Sequence, residues 1–345
     1  MSFIEIDGSF GEGGGQIIRT AVALSAITSK SVLIRDIRAN RPKPGLSAQH
    51  LKTIETAARL TDARVEGLEI GSKTVRFSPK KIKGIDDKIN IGTAGSITLL
   101  LQCIIPIALF ADDRTRLQVI GGTDVRWSPP IDFYKNVFLP VIGLMGCDIT
   151  IELVKRGFYP KGSGIVDVEI NPLKKDRLKG IILDKETKRE DVSGISFSNN
   201  LPSHVVERQA NAAEEVLKDN HYKSCIGREY NIDTKGSTGS GIFLWQAFKS
   251  GSDLGEINKR AEIVGKNAAI RILEELKSSS TVDIHLADQL MIYMALTDEK
   301  SLIKVRTMTK HLETCIYVIK KLLNVNFLID KKERDVINIL KNPVI

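Results

Sequence analysis

The sequence predicts an α+β fold in which three repeated β-α-β-α-β-β modules form the main domain and a smaller α/β domain is inserted into the third. Three observations lead there. The N-terminal stretch alternates strand and helix patterns in the order β-α-β-α-β-β, and the next stretch of roughly 80 residues repeats that order, a period too long for a solenoid unit. The C-terminus carries the same order without its first strand. The length, 345 residues, suits about two domains.

Each element follows from its local pattern. In the first module FIEID is a strand, a glycine cluster follows, and Gln16 to Thr28 is a helix. SVLIRDI is a strand, Ser47 to Leu60 a helix, and RVEGLEI and TVRFSP are strands around Gly71. In the second module KINIG is a strand and Ser96 to Phe110 a helix after a Gly-Thr-Ala-Gly turn. RLQVIGG is the next strand and Ile131 to Met145 the next helix; DITIELV and GIVDVEI are strands flanking RGFYPKGSG. The third module runs through helix His285 to Leu296, strand LIKVRT, helix Thr309 to Leu323 and strands NFLID and DVINIL. GIILD, around Ile182, can supply its missing first strand. Residues 1–183 and 279–345 then form the main domain and 184–278 the insert. Within the insert we expect strand SGISFS, helix Ser203 to Lys218, strand REYNIDT, a glycine-serine turn, strand IFLWQAF and a long helix from Leu254 to Lys277.

Composition narrows the function classes. Apolar residues make up 42% and charged residues 27%, which excludes a disordered, collagen-like or coiled-coil chain. The formal net charge of +8 suits an anionic partner such as nucleic acid or nucleotide. The longest apolar stretch, Ile97 to Ala111, is shorter than the roughly 20 residues of a spanning helix and is interrupted by Gln102 and Pro106, so no membrane partner is expected. MSFIEIDGSFGEGGG has acids and glycines where a signal peptide has a basic start and an apolar run. The four cysteines lie far apart without a C-x-x-C, indicating neither zinc nor a disulfide framework; a reducing, cytoplasmic location is expected.

Several segments can carry chemistry. The loop Asp7 to Gln16 lies between a strand and a helix, where glycines let backbone N–H groups approach an anion and the helix N-terminus adds a positive field. It is neither a Walker A loop nor a dinucleotide fingerprint. Glu12 is its misfit: a carboxylate beside phosphates repels them unless a divalent cation intervenes, so Glu12 reads as a Mg²⁺ or Mn²⁺ ligand, against the alternative of a turn set by packing. Arg35, Arg38, Arg41 and Lys43 crowd a strand end and a loop stiffened by Pro42 and Pro44, and guanidinium forks match phosphate oxygens. Gln49 and His50 extend this region onto the next helix, although a lone histidine near a helix start is more often structural. Gly92 to Ser96, with Gln102 two turns on, and Gly121 to Asp124 are further loops of the same kind.

On the helix that begins near His285, that residue, Asp288 and Gln289 stand at i, i+3 and i+4 and share one face, as in a pocket for a hydrogen-bonding ligand; an ordinary exposed stripe reads equally well. Thr309 can cap the last helix, which puts His311 in its first turn beside the apolar stripe Leu312, Cys315, Ile316, Ile319, Leu322 and Leu323. There the helix dipole disfavours imidazolium, and a neutral imidazole can attack a phosphoryl centre. A capping or core-edge histidine is the commoner case. No Ser-His-Asp set or H-E-x-x-H is discernible, and 6% aromatics argue against a broad base-stacking platform.

Seven blocks, in order, resemble the RNA 3′-terminal phosphate cyclase family: IDGSFGEGGGQIIRTAVALS, IRANRPKPGLSAQHL, GTAGSITLLLQ, GGTD, RGFYPKGSG, HLADQL and TKHLETC. RGFYPKGSG is the most specific, and the resemblance covers nearly the full length. It implies an ATP-dependent enzyme that converts an RNA 3′-terminal phosphate to a 2′,3′-cyclic phosphate through a histidine-AMP adduct and an RNA-(3′)pp(5′)A end. The adenylylated histidine falls on His311 and the metal-associated glutamate on Glu12, for Mg²⁺ or Mn²⁺. Gln16, Arg19, Arg38, Arg41 and Gln49 match positions around the triphosphate and the RNA end. Gln102 matches an ATP-contacting glutamine, and His285, Leu286, Ala287, Asp288 and Gln289 the adenosine-binding stretch. Bacterial relatives can carry tyrosine at the position of His285, which suits a pocket wall. The alternative reading is a non-catalytic cyclase-like RNA-binding protein of ribosome assembly, against which the presence of His311 weighs. A further rival is an enolpyruvyl transferase, whose modular architecture is related.

Overall fold

The computed structural model describes residues 2–174, 177–186, 191–331 and 336–343. It is a mixed α+β structure, and among the described residues the strands form four small sheets.

The first sheet has the order β1-β2-β4-β3, with β1 at Ile4–Asp7, β2 at Val32–Arg35, β3 at Arg64–Glu66 and β4 at Val75–Ser78. β1 and β2 are parallel, joined by helix α1 (Gly15–Thr28); helix α2 (Ala48–Thr61) leads to the antiparallel pair β3–β4. The expected strand RVEGLEI is only three residues long because Gly67 has φ +76° and turns the chain out of the ladder.

The second sheet repeats the order and senses as β5-β6-β8-β7, with β5 at Asp86–Asn90, β6 at Thr115–Gly121, β7 at Asp148–Lys155 and β8 at Gly164–Asn171. Helix α3 (Ile97–Ala108) crosses from β5 to β6. The helix expected over Ile131 to Met145 is broken. Helix α4 (Ile131–Phe133) opens into a π-helical turn, Tyr134–Phe138, before helix α5 (Leu139–Leu144). Pro140 has no N–H to donate and its ring crowds the preceding turn, so the wider spiral relieves the ladder there.

The C-terminal sheet is antiparallel, with the order β13-β15-β14: β13 at Ser301–Val305, β14 at Phe327–Asp330 and β15 at Ile337–Lys341. Asp335, the first residue of the expected strand DVINIL, lies outside the described residues. A single parallel bridge, Ile182 to Leu302, sets GIILD beside β13. Helix α8 (Ile284–Leu296) precedes this sheet and packs on β13, and helix α9 (Lys310–Leu323) packs against α1 and α8.

The remaining sheet, β10-β9-β11-β12, contains β9 (Val192–Asn199), β10 (Ser224–Asn231), β11 (Gly239–Gln246) and β12 (Lys249–Leu254), covered by helices α6 (His204–Asp219) and α7 (Ala261–Leu276). It has its own apolar cluster, from Val192 to Leu273, separate from the large core shared by α1, α3, α8 and α9. Two expectations are corrected here. REYNIDT begins four residues late, because β10 pairs from Ser224 onward with β9. Leu254 ends a strand and does not start a helix: the chain turns at Ala247 (φ +49°), and Lys249–Leu254 returns along β11. KSGSDL has little intrinsic strand preference, and its partner imposes the conformation.

All four cysteines are free. Among the described residues no helix is long and apolar enough to cross a membrane.

Candidate functional site

The N-terminal glycine loop is shaped by residues with left-handed backbone, Gly11 at φ +61° and Gly13 at +55°. A Cβ at Gly11 would meet Thr314 Oγ1 of α9 at 2.9 Å, so the loop lies directly on that helix. Phe10 stacks on Tyr317 with ring centroids 4.0 Å apart. These contacts fix Glu12 against the start of α9. Its Oε2 stands 3.5 Å from His311 Nε2 and 3.1 Å from Arg41 Nη2.

Thr309 caps α9 by accepting the N–H of Leu312 at 2.9 Å, which leaves His311 in the first turn with its side chain half exposed. Its pKa lies below the ordinary histidine value. Partial burial is the largest cause; Glu12 opposes it, and Arg19, His285 and Arg41 add to it. The imidazole is therefore neutral near pH 7 and keeps a lone pair.

Arg38 and Arg41 come from the loop after β2. Arg38 has φ +53° and donates from Nη1 to Gly45 O at 2.8 Å, and Asn40 Nδ2 donates to Ser9 O at 2.9 Å, which ties this loop to the glycine loop. Partial burial and the charge of Arg41 lower the Arg38 pKa. Gln49 Oε1, on α2, accepts the N–H of Ser96 at 3.0 Å, joining α2 to the cap of α3. His50 is a capping residue: its Nδ1 accepts from the backbone N–H of Ser47 at 3.2 Å. Burial, with Arg19 and Arg38 nearby, pushes its pKa down to about 3. A Cβ at Gly15 would lie 2.1 Å from His50 Nε2 and 2.9 Å from Arg19 Nη1, so only glycine lets α1 begin there.

Beside this cluster is a cavity of about 670 Å³ whose wall includes Gln16, Arg19, Gln102, His285, Asp288, Gln289 and His311. Arg19 is 7% exposed and donates from Nε to Gln102 Oε1 at 2.6 Å. Among the described residues it makes no ion pair, and burial lowers its pKa to about 10. Gln16 Nε2 donates to Cys315 Sγ at 2.7 Å. Asp288 Oδ1 accepts from Thr309 Oγ1 at 2.8 Å; burial pushes its carboxyl up to about 8, with Asp283 and Glu12 adding to the rise. Tyr134, in the π-helical turn, donates from its hydroxyl to Thr98 O at 2.9 Å and to Gln289 Oε1 at 3.2 Å. Burial also lowers the His285 pKa.

The expected residues thus fall into two neighbouring groups that meet at His311. Gln16, Arg19, Gln102, His285, Asp288 and Gln289 line the cavity; Glu12, Arg38 and Arg41 belong to loops next to it and Gln49 to the first turn of α2, and none of these four lines it. Leu286 and Ala287 are fully buried and pack in the core. Sequence reasoning missed Arg271, Glu274, Glu275 and Arg306 on the far wall, where Arg306 pairs with Glu275 at 2.9 Å. It also assigned no role to RGFYPKGSG, which it placed between two strands. Arg156 of that segment reaches Asp132 at 2.8 Å, Asp124 at 3.3 Å and Glu229 at 3.1 Å, and lies 3.8 Å over the ring of Phe197. Phe158 N donates to Ser237 Oγ at 2.7 Å. The segment fastens the second sheet to the sheet of β9–β12. Its signal was in the residue types, a guanidinium and an aromatic, but their partners are remote in sequence.

The chemistry on offer is anion binding beside a neutral imidazole. Glu12 offers a carboxylate at this junction, and among the described residues no group of three or more His, Cys, Asp or Glu is gathered for a metal. A divalent ion held by Glu12 would need its other ligands from phosphate and water.

Residues 10–329 match the family model described as RNA 3′-terminal phosphate cyclase. A protein of Archaeoglobus fulgidus named RNA 3′-terminal phosphate cyclase is 49% identical, over 93% of this chain and 95% of that protein. One of the same name from Methanococcoides burtonii is 46% identical, over 97% of this chain and 99% of its own. Among solved structures, an enolpyruvyl transferase of Streptomyces tendae covers 97% of this chain and 47% of its own at 11% identity and a TM-score of 0.38, a likeness too weak to carry an argument.

Proposed function

This chain belongs to the RNA 3′-terminal phosphate cyclase family, and from that premise we propose that it uses ATP to convert an RNA 3′-terminal phosphate into a 2′,3′-cyclic phosphate. The observation that carries this is the meeting of Glu12, Arg41 and a neutral His311 at the edge of a cavity floored by Arg19 and Gln102.

In this reading His311 Nε2 attacks the α-phosphorus of ATP. An N–P bond forms, the bond to the β-phosphate breaks and pyrophosphate leaves. An oxygen of the RNA 3′-phosphate then attacks the same phosphorus, and the N–P electrons return to His311. The neighbouring 2′-OH attacks the 3′-phosphorus, its proton passes to solvent and AMP departs. This last step is intramolecular, so positioning does much of the work, and RNA is required because DNA lacks the nucleophile.

Arg19, Gln16 and Gln102 hold the triphosphate, and His285, Asp288 and Gln289 wall the nucleoside; Leu286 and Ala287 support that wall from the core. Arg38, Arg41 and Gln49 hold the RNA end. Glu12 holds Mg²⁺ or Mn²⁺, which when bound supplies neutralisation of phosphate charge. We further read the first, second and C-terminal sheets as copies of one module, with residues 184–278 as an insert, and place the protein in the cytoplasm. The non-catalytic alternative is not favoured by relatives that are named cyclases.

The test is incubation with ATP, Mg²⁺ and a 3′-phosphorylated RNA oligonucleotide. A phosphatase-resistant end that acid opens to a mixture of 2′- and 3′-phosphates supports the reading. An unchanged 3′-phosphate with folded protein overturns it.

A further inference from the structure

The loop between β6 and α4 forms part of the cavity's mouth, and it carries an unusual residue. Trp127 is 92% exposed and has φ +62°, a left-handed conformation that a bulky L-residue rarely takes. Both features cost free energy, since a large apolar ring is left in water and the backbone is held in a sparsely populated region. The loop is nevertheless well fixed. Ile131 N donates to Thr123 O at 3.1 Å across its base, Ser128 Oγ donates to Val125 O at 2.9 Å, and Thr98 Oγ1 from α3 donates to Pro129 O at 2.7 Å. Arg126, next to Trp127, forms an ion pair with Glu256 from the loop after β12, and all three residues line the same cavity as His311. The indole is therefore presented outward by a braced support at the entrance to the candidate active site.

We propose that Trp127 is a stacking platform for an unpaired nucleobase of the RNA substrate, close to the 3′ end whose phosphate reaches His311. The ligand class rests on the cyclase reading above. The chemistry fits: every nucleobase has a π-face, single-stranded RNA ends have unstacked bases, and one aromatic ring gives affinity without sequence selection. Such a contact would hold the strand at the mouth while the arginines hold its phosphate. It also suits a chain with few aromatic residues, because a single ring at the right place suffices.

The experiment compares the wild-type chain with Trp127→Ala and Trp127→Phe. RNA binding is followed by anisotropy of a labelled 3′-phosphorylated oligonucleotide without ATP, and by intrinsic fluorescence. The only other tryptophan, Trp245, stacks on Phe243 and is half-buried, so quenching on RNA addition reports chiefly on Trp127. Trp127→Ala should weaken RNA binding by about tenfold or more and remove the quenching. Trp127→Phe should restore most of the affinity, and the KM for ATP in self-adenylylation should not move in either variant. The high exposure of Trp127 means that neither change threatens folding. Unchanged RNA affinity in Trp127→Ala overturns the proposal. So does an effect confined to the ATP KM, which would assign the indole to the nucleotide. RNA that binds through Trp127 but is never cyclised would sink the cyclase reading and leave this one standing.

Discussion

His311 Nε2 stands 3.5 Å from Glu12 Oε2, although the two residues come from opposite ends of the chain. The stacking of Phe10 on Tyr317 and the close seating of Gly11 on Thr314 hold the glycine loop against α9 and make that distance possible. The Glu12 carboxylate thus has a guanidinium at 3.1 Å on one side and an imidazole at 3.5 Å on the other.

Replacing Glu12 tests the metal assignment. Glu12→Ala should raise the Mg²⁺ concentration for half-maximal self-adenylylation by about tenfold or more. A metal titration at saturating ATP checks it, and an unchanged midpoint would remove Glu12 from the role.

Arg19 should show a trade-off between stability and binding. It is a buried cation paired with a neutral amide, an arrangement that costs the free protein stability and, in the proposed function, would favour an incoming triphosphate. Arg19→Met should stabilise the ligand-free chain by about 1 kcal/mol or more and weaken a non-hydrolysable ATP analogue by about 10- to 100-fold. Urea unfolding and calorimetric titration measure the two halves.

The His50 pKa of about 3 has a consequence for acid stability. The folded value is depressed below the unfolded value of about 6.5, so the unfolded state binds the extra proton in between. The stability from burying a neutral imidazole is intact above pH 6.5 and is lost progressively as pH falls towards 3. At pH 5 the loss is about 2 kcal/mol. Gln at this position can also complete a capping box. Urea midpoints at pH 7 and pH 5 should therefore fall less in His50→Gln than in the wild-type chain.

Arg156 neutralises two buried acids, Asp124 and Asp132. Arg156→Ala should cost about 3–5 kcal/mol, because both carboxylates lose their partner. Adding Asp132→Asn should recover part of it. Equal unfolding midpoints for the single variant and wild type would contradict this account of the RGFYPKGSG segment.

What could be read from the sequence was what depends on neighbours along the chain. Thr309 and the stripe from Leu312 to Leu323 are enough to place α9, and the i, i+3, i+4 spacing of His285, Asp288 and Gln289 is enough to put all three on the face that lines the cavity. Gly11 and Gly13 mark the loop. What could not be read was set by remote partners. β12 exists because β11 offers it a ladder, and KSGSDL alone does not suggest a strand. Cys315 reads as one more apolar position, yet it accepts from Gln16 and sits 3.6 Å from Asp288 O. The pairing of Arg19 with Gln102 and the seat of Arg156 are likewise contacts between residues remote in sequence, which no local pattern encodes.

The most direct measurement is incubation of the folded chain and of His311→Asn with α-³²P-ATP and Mg²⁺, followed by denaturing electrophoresis and by acid and alkali treatment of the band. The account predicts that the wild-type chain carries a label lost in acid and stable in alkali, as a phosphoramidate requires, and that His311→Asn carries none while still binding a non-hydrolysable ATP analogue. Label retained on His311→Asn, or a wild-type label that alkali removes, would contradict it.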